Sequence, residues 1–316
     1  MGFVRTVLGD IHPEEMGVTY SHEHIIIEDS YPTIAYPDFL LNDVAKVSDE
    51  LSAVRAAGGR TMVDTMPANC GRNVTKLAEV SGRSGIHILA PTGLHLEMYY
   101  PPMHWRFRYS EDELAALFIA DIEEGIDTFD YSGPFIKRTT HRAGLIKLAT
   151  GDEPINNHQR KVFDAAAQAQ RVTGAPILTH TNAGRHAVAQ AELLQRFGVD
   201  LTHVVISHMD RCQDAGYHRE LLGSGVRVEY DSAFRWKTTD TNWTYTLLEM
   251  LLPEFPDQIT VGMDAARSSY WHAYGGQPGL TYLLTTFREE LIKRGLESYW
   301  PKLMIETPAS LYSFSK

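Results

Sequence analysis

Two histidines stand one residue apart in the segment VTYSHEHIII, which spans residues 18–27 and otherwise has the pattern of a buried β-strand. Side chains at positions i and i+2 of a strand point to the same side of the sheet. Strict alternation therefore places His22 and His24 on one face, together with Tyr20. Such a pair of imidazoles can bind a metal ion, although a single strand histidine more often fills a hydrogen-bonded place in a core.

Further polar side chains occur inside or at the end of other apolar runs. With the first two, the set is His22, His24, Lys147, His180, His208 and Asp264. A buried lysine or aspartate is costly unless something pairs with it. Taken alone, Lys147 has an ordinary explanation as a salt-bridge partner, and Asp264 as a helix cap. Six such residues at the ends of five strands together indicate a catalytic metal site.

Imidazole and carboxylate ligands together suit Zn²⁺, Mn²⁺, Fe²⁺ or Co²⁺, and the sequence does not choose among these ions. His22, His24 and Asp264 would hold one ion, and His180 with His208 would hold a second.

Lys147 is the exception in this set, because an ammonium group repels a cation. Burial lowers the pKa of a lysine, so that the neutral amine becomes accessible. Addition of CO₂ to that amine would give a carbamate, an anionic group able to bridge two metal ions.

The elements that must position these residues alternate regularly. Eight short apolar or β-branched runs recur, and helical patterns fill most of the gaps between them. The runs are 18–27, 61–66, 87–94, 145–150, 176–181, 204–209, 227–232 and 259–264. Near-continuous apolar strands are typical of a parallel sheet buried on both faces. The pattern predicts a single α/β domain over residues 1–316, a (β/α)₈ TIM barrel with its active site at the carboxyl ends of the strands.

The helices are predicted from apolar stripes and capping residues. They comprise a stripe from Val44 to Val54 stopped by Gly58 and Gly59, a capping box of Ser110 with Glu113, a segment from Ala165 to Val172 before Gly174, and a segment from Leu280 to Leu291. A doubly wound open sheet is the structural alternative, but the first strand–helix junction carries no glycine-rich phosphate loop.

Composition excludes several classes of function. The formal net charge is −11, so no global basic field attracts nucleic acid or an anionic membrane. No apolar run approaches the length of a membrane span. Cys70 and Cys212 form no CxxC pair, which suits a reducing compartment. We therefore expect a cytoplasmic protein that acts on a small molecule and has neither a nucleic-acid nor a membrane partner.

The segments GVTYSHEHI, GLIKLAT, ILTHT, VVISHMD and TVGMDAA together resemble the phosphotriesterase family of the amidohydrolase superfamily, over nearly the whole chain. The resemblance implies a binuclear centre of two divalent ions, zinc or else manganese or cobalt, bridged by N6-carboxylated Lys147. It implies hydrolysis by a metal-bridging hydroxide, with Lys147 and Asp264 as catalytic residues and Asp264 as the proton acceptor. It also implies a homodimer, which is common among similar enzymes.

Substrate-binding residues are expected on the loops after the last two strands. There, Lys237, Arg267 and Tyr270 offer a point charge, a bidentate donor and a hydroxyl, a combination that suits a phosphate monoester. This combination resembles the branch of the family that acts on phosphorylated sugar lactones. We expect the opening of an aldono-1,4-lactone ring, with the aromatic stretch 97–109 and His95 near another wall of the pocket.

Alternatives remain at this stage. Arg267 has a structural explanation as the salt-bridge partner of a surface carboxylate, with Tyr270 packed into its loop. A phosphotriesterase or a broad-specificity or homoserine lactonase is the enzymatic alternative, although Arg267 argues against an apolar channel for an acyl tail. A non-catalytic metal-binding barrel is the remaining one.

Overall fold

Strands and helices alternate along most of the chain. The computed structural model describes residues 2–236 and 241–315. The strands are β1 (Val4–Thr6), β2 (Gly9–Ile11), β3 (Thr19–Glu23), β4 (Thr61–Asp64), β5 (His87–Leu89), β6 (Pro91–Gly93), β7 (Leu145–Ala149), β8 (Ile177–His180), β9 (Val204–Ile206), β10 (Arg227–Tyr230) and β11 (Ile259–Val261). The α-helices are α1 (Tyr31–Ala35), α2 (Val44–Ala56), α3 (Val74–Ser84), α4 (Glu111–Glu123), α5 (Asn157–Thr173), α6 (Ala187–Arg196), α7 (Ala215–Gly223), α8 (Trp243–Leu251), α9 (Thr286–Lys293) and α10 (Thr307–Leu311). None of the helices within these described ranges is long and apolar enough to cross a membrane.

Parallel strands from β3 to β11 close into a barrel. β3, β4 and β5 pair in that order, and β6 through β11 pair in chain order. Ala90 alone separates β5 from β6, so these are two halves of one kinked strand. The barrel closes next to β11 and β3, where the Asp264 N–H donates to the His22 carbonyl at 2.9 Å. The predicted barrel is confirmed, since each of the eight predicted runs contains a barrel strand, and the open sheet is excluded.

Local sequence signals explain where the helices begin and end. Asp43 caps α2, where its Oδ1 accepts the Ala45 N–H at 3.0 Å. Ser110 and Glu113 form the predicted capping box at the start of α4. Gly174 ends α5 with a φ of 76°, the left-handed conformation that glycine adopts without strain.

The predicted helix from Leu280 to Leu291 is divided in the structure. A 3₁₀ segment covers Leu280–Leu284, and α9 follows after Thr285, whose ψ of −94° is not helical. The Tyr20 hydroxyl donates to the Leu280 carbonyl at 2.6 Å. In a continuous α-helix this carbonyl would accept a backbone N–H from the next turn.

Tyr20 lies on the other side of the sheet from the two histidines of its strand. In the pairing of β3 with β4, Tyr20 is opposite Met62 and Glu23 is opposite Asp64. Between these two pairs β3 advances by three residues and β4 by only two. This is a β-bulge, and strict alternation fails at a bulge. Tyr20 packs in the outer hydrophobic layer, whereas His22 and His24 face the mouth of the barrel. The prediction that Tyr20 shares their face is therefore wrong.

A small hydrophobic cluster fills the amino-terminal end of the barrel. It consists of Val4, Met16, Val63, Leu89, Leu145, Leu178, Val205, Leu311 and Tyr312. The Tyr312 hydroxyl also donates to the Ser21 carbonyl at 2.9 Å. Segments near both ends of the described chain thus plug one end of the barrel, and the carboxyl ends of the strands stay open.

Candidate active site

The mouth of the barrel holds a cavity of about 290 Å³. Five of the six predicted metal ligands line it, namely His22, His24, His180, His208 and Asp264. Lys147 is fully buried among the inward-facing residues of β7. The fold thus brings all six residues to one place from five strands of the barrel.

His22, His24 and Asp264 form the tightest group. Asp264 Oδ1 lies 3.1 Å from His24 Nε2 and 3.8 Å from His22 Nε2. Ligand atoms around a four-coordinate ion at about 2.0–2.2 Å lie roughly 3.3–3.5 Å apart. These three atoms therefore have the spacing of a metal-ligand set.

His180 and His208 form the second half of the cluster. Their ring centroids are 4.5 Å apart, and the His208 ring lies 4.8 Å from that of His22. Burial lowers the pKa of His22, His180 and His208, which keeps these imidazoles neutral, the form that binds a metal ion. His180 Nε2 lies 2.8 Å from Asn182 Oδ1.

Two carboxylates on β10 and at its end stand behind two of the histidines. Glu229 Oε2 lies 2.9 Å from His22 Nδ1, and Asp231 Oδ2 lies 2.6 Å from His208 Nδ1. A carboxylate on the rear nitrogen fixes the tautomer and orients the ring of a metal-binding histidine. Sequence reasoning missed both residues, although the run RVEYDS places two acids at the same i, i+2 spacing as the histidines of β3.

Lys147 contacts no anionic side chain in the part of the chain that the structure describes. Within the described residues Nζ forms no carboxylate ion pair, and its contact is His22 Nε2 at 3.5 Å. Burial lowers the pKa of Lys147 to about 8. A substantial share of the neutral amine is therefore present in mildly alkaline solution.

Two arginines hold the second oxygen of Asp264. Arg211 Nη2 lies 2.9 Å and Arg235 Nη2 3.1 Å from Asp264 Oδ2. Burial alone would raise the pKa of Asp264, but the Arg235 guanidinium and the hydrogen bond with His24 outweigh it and bring that pKa well below its usual range. Asp264 is therefore ionised, with Oδ1 turned toward the histidines. Sequence reasoning did not predict the contact of either arginine with Asp264.

Glu23, between the two histidines of β3, fixes the backbone around Asp264. Its carboxylate accepts the N–H of Met263 at 2.8 Å and that of Ala265 at 3.3 Å. Asp264 has a φ of 50°, a left-handed conformation uncommon for residues other than glycine. The two bonds from Glu23 support this conformation and connect the first barrel strand to the last.

The structure describes two of the three predicted phosphate-binding residues. Arg267 and Tyr270 line the cavity. Arg267 Nη1 also forms a 2.5 Å ion pair with Asp38 and lies over the Phe39 ring at 4.8 Å. The salt bridge of the structural alternative is therefore present, yet the side chain remains at the cavity wall. Lys237 lies outside the described residues.

The donor set fits a divalent metal ion. Neutral imidazoles and an ionised carboxylate are the ligands that zinc, manganese and cobalt share. The ligand atoms of His22, His24 and Asp264 are close enough to one another for one ion, whereas in the other close group, His22–His208–Asp231, the Asp231 carboxylate occupies the rear nitrogen of His208. The Nδ1 atom of His24 is buried without a hydrogen-bond partner among the described residues.

Comparisons with known proteins cover nearly the whole chain. The model of the phosphotriesterase family matches residues 2–312. The phospho-furanose lactonase of Mycoplasmopsis agalactiae is 31% identical over 325 residues, covering 99% of this chain and 92% of that protein.

Solved structures extend the similarity to the fold. A lactonase from Listeria monocytogenes has a TM-score of 0.90 at 30% identity, covering 99% of this chain and 100% of that one. An amidohydrolase from Mycoplasma synoviae has a TM-score of 0.94 at 29% identity, covering 100% of this chain and 93% of that one. The predicted family is confirmed: the chain belongs to the phosphotriesterase family.

Proposed function

We propose that this protein is a metal-dependent lactone hydrolase whose substrates are phosphorylated sugar lactones. The observation that carries the proposal is one cavity with the histidine–aspartate cluster and an arginine–tyrosine pair, Arg267 and Tyr270, along its lining. The similarity to phospho-furanose lactonases and to a solved lactonase supports the same reaction.

Two divalent ions are part of this proposal. His22, His24 and Asp264 would hold one ion, and His180 with His208 the other, with Lys147 between them as a carbamate. Such ions lower the pKa of water and polarise a carbonyl when bound. The histidine–aspartate spacing and the neutral imidazoles support this assignment.

Lys147 would acquire its bridging charge from CO₂. The lone pair of the neutral Nζ attacks the carbon of CO₂, a C–N bond forms as one C–O π bond breaks with its electron pair moving to that oxygen, and one proton passes from the nitrogen to water. The product is a carbamate anion, which balances in atoms and charge without a further reactant. The buried position and the pKa of about 8 favour the neutral amine on which this step depends.

The remaining residues would orient the substrate and move the proton. Asp264 is ionised and would accept a proton from the attacking water, then deliver it to the departing ring oxygen. Arg211 and Arg235 keep Oδ2 occupied and so present Oδ1. Arg267 and Tyr270, with Lys237, bind the remote phosphate, which places the lactone carbonyl at the cluster.

A paired hydrolysis assay tests this function. Zinc-loaded enzyme is given several pentono-1,4-lactone 5-phosphates and their unphosphorylated counterparts, and acid release is followed. We expect kcat/KM to favour the phosphorylated lactones by at least about tenfold, the value of a charge-assisted phosphate contact. Equal rates on both forms, or turnover of neutral phosphotriesters alone, would contradict the phosphate assignment.

The same proposal includes a homodimer in the cytoplasm. Several large apolar side chains are exposed in the segments between β6 and α4 and between α4 and β7, among them Met98, Met103, Phe135 and Ile136. Contiguous exposed apolar surface often marks an interface. Sedimentation velocity tests the dimer: a mass of one chain, 35.5 kDa, at micromolar concentration would contradict it.

A further inference from the structure

His95 lies at the cavity wall and has no place among the proposed metal ligands. It follows the end of β6, is 7% exposed, and lines the same cavity as the histidine–aspartate cluster. Its ring centroid lies 5.1 Å from that of His180 and 4.7 Å from that of Tyr99. His95 is thus next to the proposed reaction centre without belonging to it.

Three hydrogen bonds fix this residue. The His95 N–H donates to the Tyr100 hydroxyl at 2.9 Å, and the His95 carbonyl accepts from Arg106 Nη1 at 2.7 Å. The ring nitrogen Nδ1 accepts the N–H of Leu96 at 2.7 Å. Arg106 is itself buried and lies over the Tyr100 ring, 4.4 Å from its centroid. The backbone and one edge of the imidazole are therefore held in place.

The remaining polar atom, Nε2, is left as a donor. Because Nδ1 accepts a backbone N–H, it carries no proton, and the single ring proton resides on Nε2. Nε2 forms no hydrogen bond with the described residues, and the His95 side chain lines the cavity. A rigid N–H that faces a cavity without a protein partner is the usual form of a specificity contact.

We propose that His95 determines specificity by donating a hydrogen bond from Nε2 to the hydroxyl oxygen on C2 of the lactone. The inference rests on the proposed lactone hydrolysis. The lactone carbonyl must lie against the cluster that contains His180, and His95 contacts His180. The nearest polar substituent is then the one on the carbon next to the carbonyl.

The placement of the phosphate supports the same orientation. Arg267 follows β11, whereas His95 follows β6, which lies three barrel positions away, beyond β3 and β4. A substrate whose phosphate lies at Arg267 and whose carbonyl lies at the cluster extends its C2 side toward His95. The enzyme thus selects for α-hydroxylactones.

A matched set of variants tests this contact. The amide nitrogen of His95→Gln reaches the place of Nε2, whereas that of His95→Asn reaches only the place of Nδ1, and His95→Phe keeps a ring without a donor. Each protein is assayed on a pentono-1,4-lactone and its 2-deoxy analogue, both as 5-phosphates and unphosphorylated. Zinc content and melting temperature are measured on the same samples.

We expect the wild type to favour the 2-hydroxy substrate by about tenfold in kcat/KM, because the analogue leaves a donor unpaired. The preference should persist in His95→Gln and fall to within about twofold in His95→Asn and His95→Phe. An unchanged preference in the last two, or equal losses on both substrates, would overturn the inference. Loss of zinc in His95→Gln as well would assign a structural role instead and also overturn it.

The design separates this inference from the proposed function. Indifference of the wild type to the phosphate refutes the phosphate assignment, while the 2-hydroxy to 2-deoxy ratio on unphosphorylated lactones still decides the role of His95. Failure of the wild type to hydrolyse any lactone refutes the proposed function and the inference together.

Discussion

The Glu229 carboxylate lies directly behind His22, with 2.9 Å between Oε2 and Nδ1. Ser207 donates its hydroxyl to the same oxygen at 2.9 Å, and all three side chains are buried. The contact directs the proton of the imidazole to Nδ1 and leaves Nε2 free to face Asp264. His22 is therefore oriented from behind before any metal ion binds.

Replacement of Glu229 should weaken metal binding. We expect Glu229→Leu to lower zinc affinity by about 10–100-fold, measured by competition with a chromophoric chelator, and Glu229→Gln to lower it less because its amide oxygen still accepts. Thr260→Val is a matched control, since Thr260 pairs directly with Glu229 across β10 and β11 and its hydroxyl has no partner among the described residues. Equal zinc affinity in Glu229→Leu and the control would contradict the role.

Replacement of Lys147 should stabilise the metal-free protein. Its ammonium is buried without an ion pair to any described residue, so Lys147→Met should raise the free energy of unfolding by about 2–3 kcal/mol at pH 7 while abolishing turnover. The folded-state pKa of about 8 lies below the ordinary 10.5, so the penalty is complete below pH 8 and disappears as the pH rises toward 10.5. Urea unfolding of the wild type and Lys147→Met at several pH values measures the difference in their free energies of unfolding. A difference that stays constant with pH would contradict the prediction.

Reconstitution of the metal-free enzyme should depend on CO₂ and on pH. With a pKa of about 8 for Lys147, the neutral amine should increase about twentyfold between pH 6.5 and pH 8.5. The initial rate of reactivation by zinc at fixed dissolved CO₂ should rise in step, and buffers freed of CO₂ should slow it. A reactivation rate independent of CO₂ would show that Lys147 works without a carbamate.

Replacement of Arg267 should affect phosphorylated substrates selectively. Arg267→Ala should raise KM for lactone phosphates by about 10–100-fold and leave the unphosphorylated forms within about threefold. Asp38→Ala is the control, because it removes the 2.5 Å ion pair and keeps the guanidinium. If Arg267→Ala and Asp38→Ala raised KM equally on phosphorylated and unphosphorylated substrates, the role of Arg267 would be structural, namely to hold its own segment against that of Asp38.

Replacement of Asp264 by asparagine should remove the proton acceptor, while an amide oxygen remains to face His22 and His24. Asparagine tolerates the φ of 50° found at this position, so the backbone should remain in place. We expect kcat to fall by about 10²–10⁴-fold with zinc content within twofold of the wild type. Retention of a tenth or more of the activity would exclude the proposed proton role.

Much of this architecture was predictable from periodicity and from strand ends. The eight apolar runs located the barrel strands, and the polar residues His22, Lys147 and His208 stood out because they interrupt such runs. Residues that contact the cluster from neighbouring strands and loops were harder to predict from the sequence. Glu229 and Asp231 had a visible signal in their i, i+2 spacing, whereas the reach of Arg211 to Asp264 depends on loop geometry that no local pattern encodes.

Other differences come from local irregularity. The bulge in β3 reverses the side on which Tyr20 lies, and a bulge leaves no mark in an alternating sequence. The ion pair of Arg267 with Asp38 joins segments 229 residues apart. The sequence therefore predicted that Arg267 could pair with a surface carboxylate, but not which carboxylate.

The closing bond between Asp264 and His22 has a consequence for biosynthesis. Chains emerge from the ribosome amino end first, so the two histidines of β3 are made long before their carboxylate partner. If His22, His24 and Asp264 hold an ion as proposed, its binding waits for translation past residue 264, and the plug residues Leu311 and Tyr312 are made later still. A nascent chain stalled before β11 would expose an open sheet edge and would lack the carboxylate of this group.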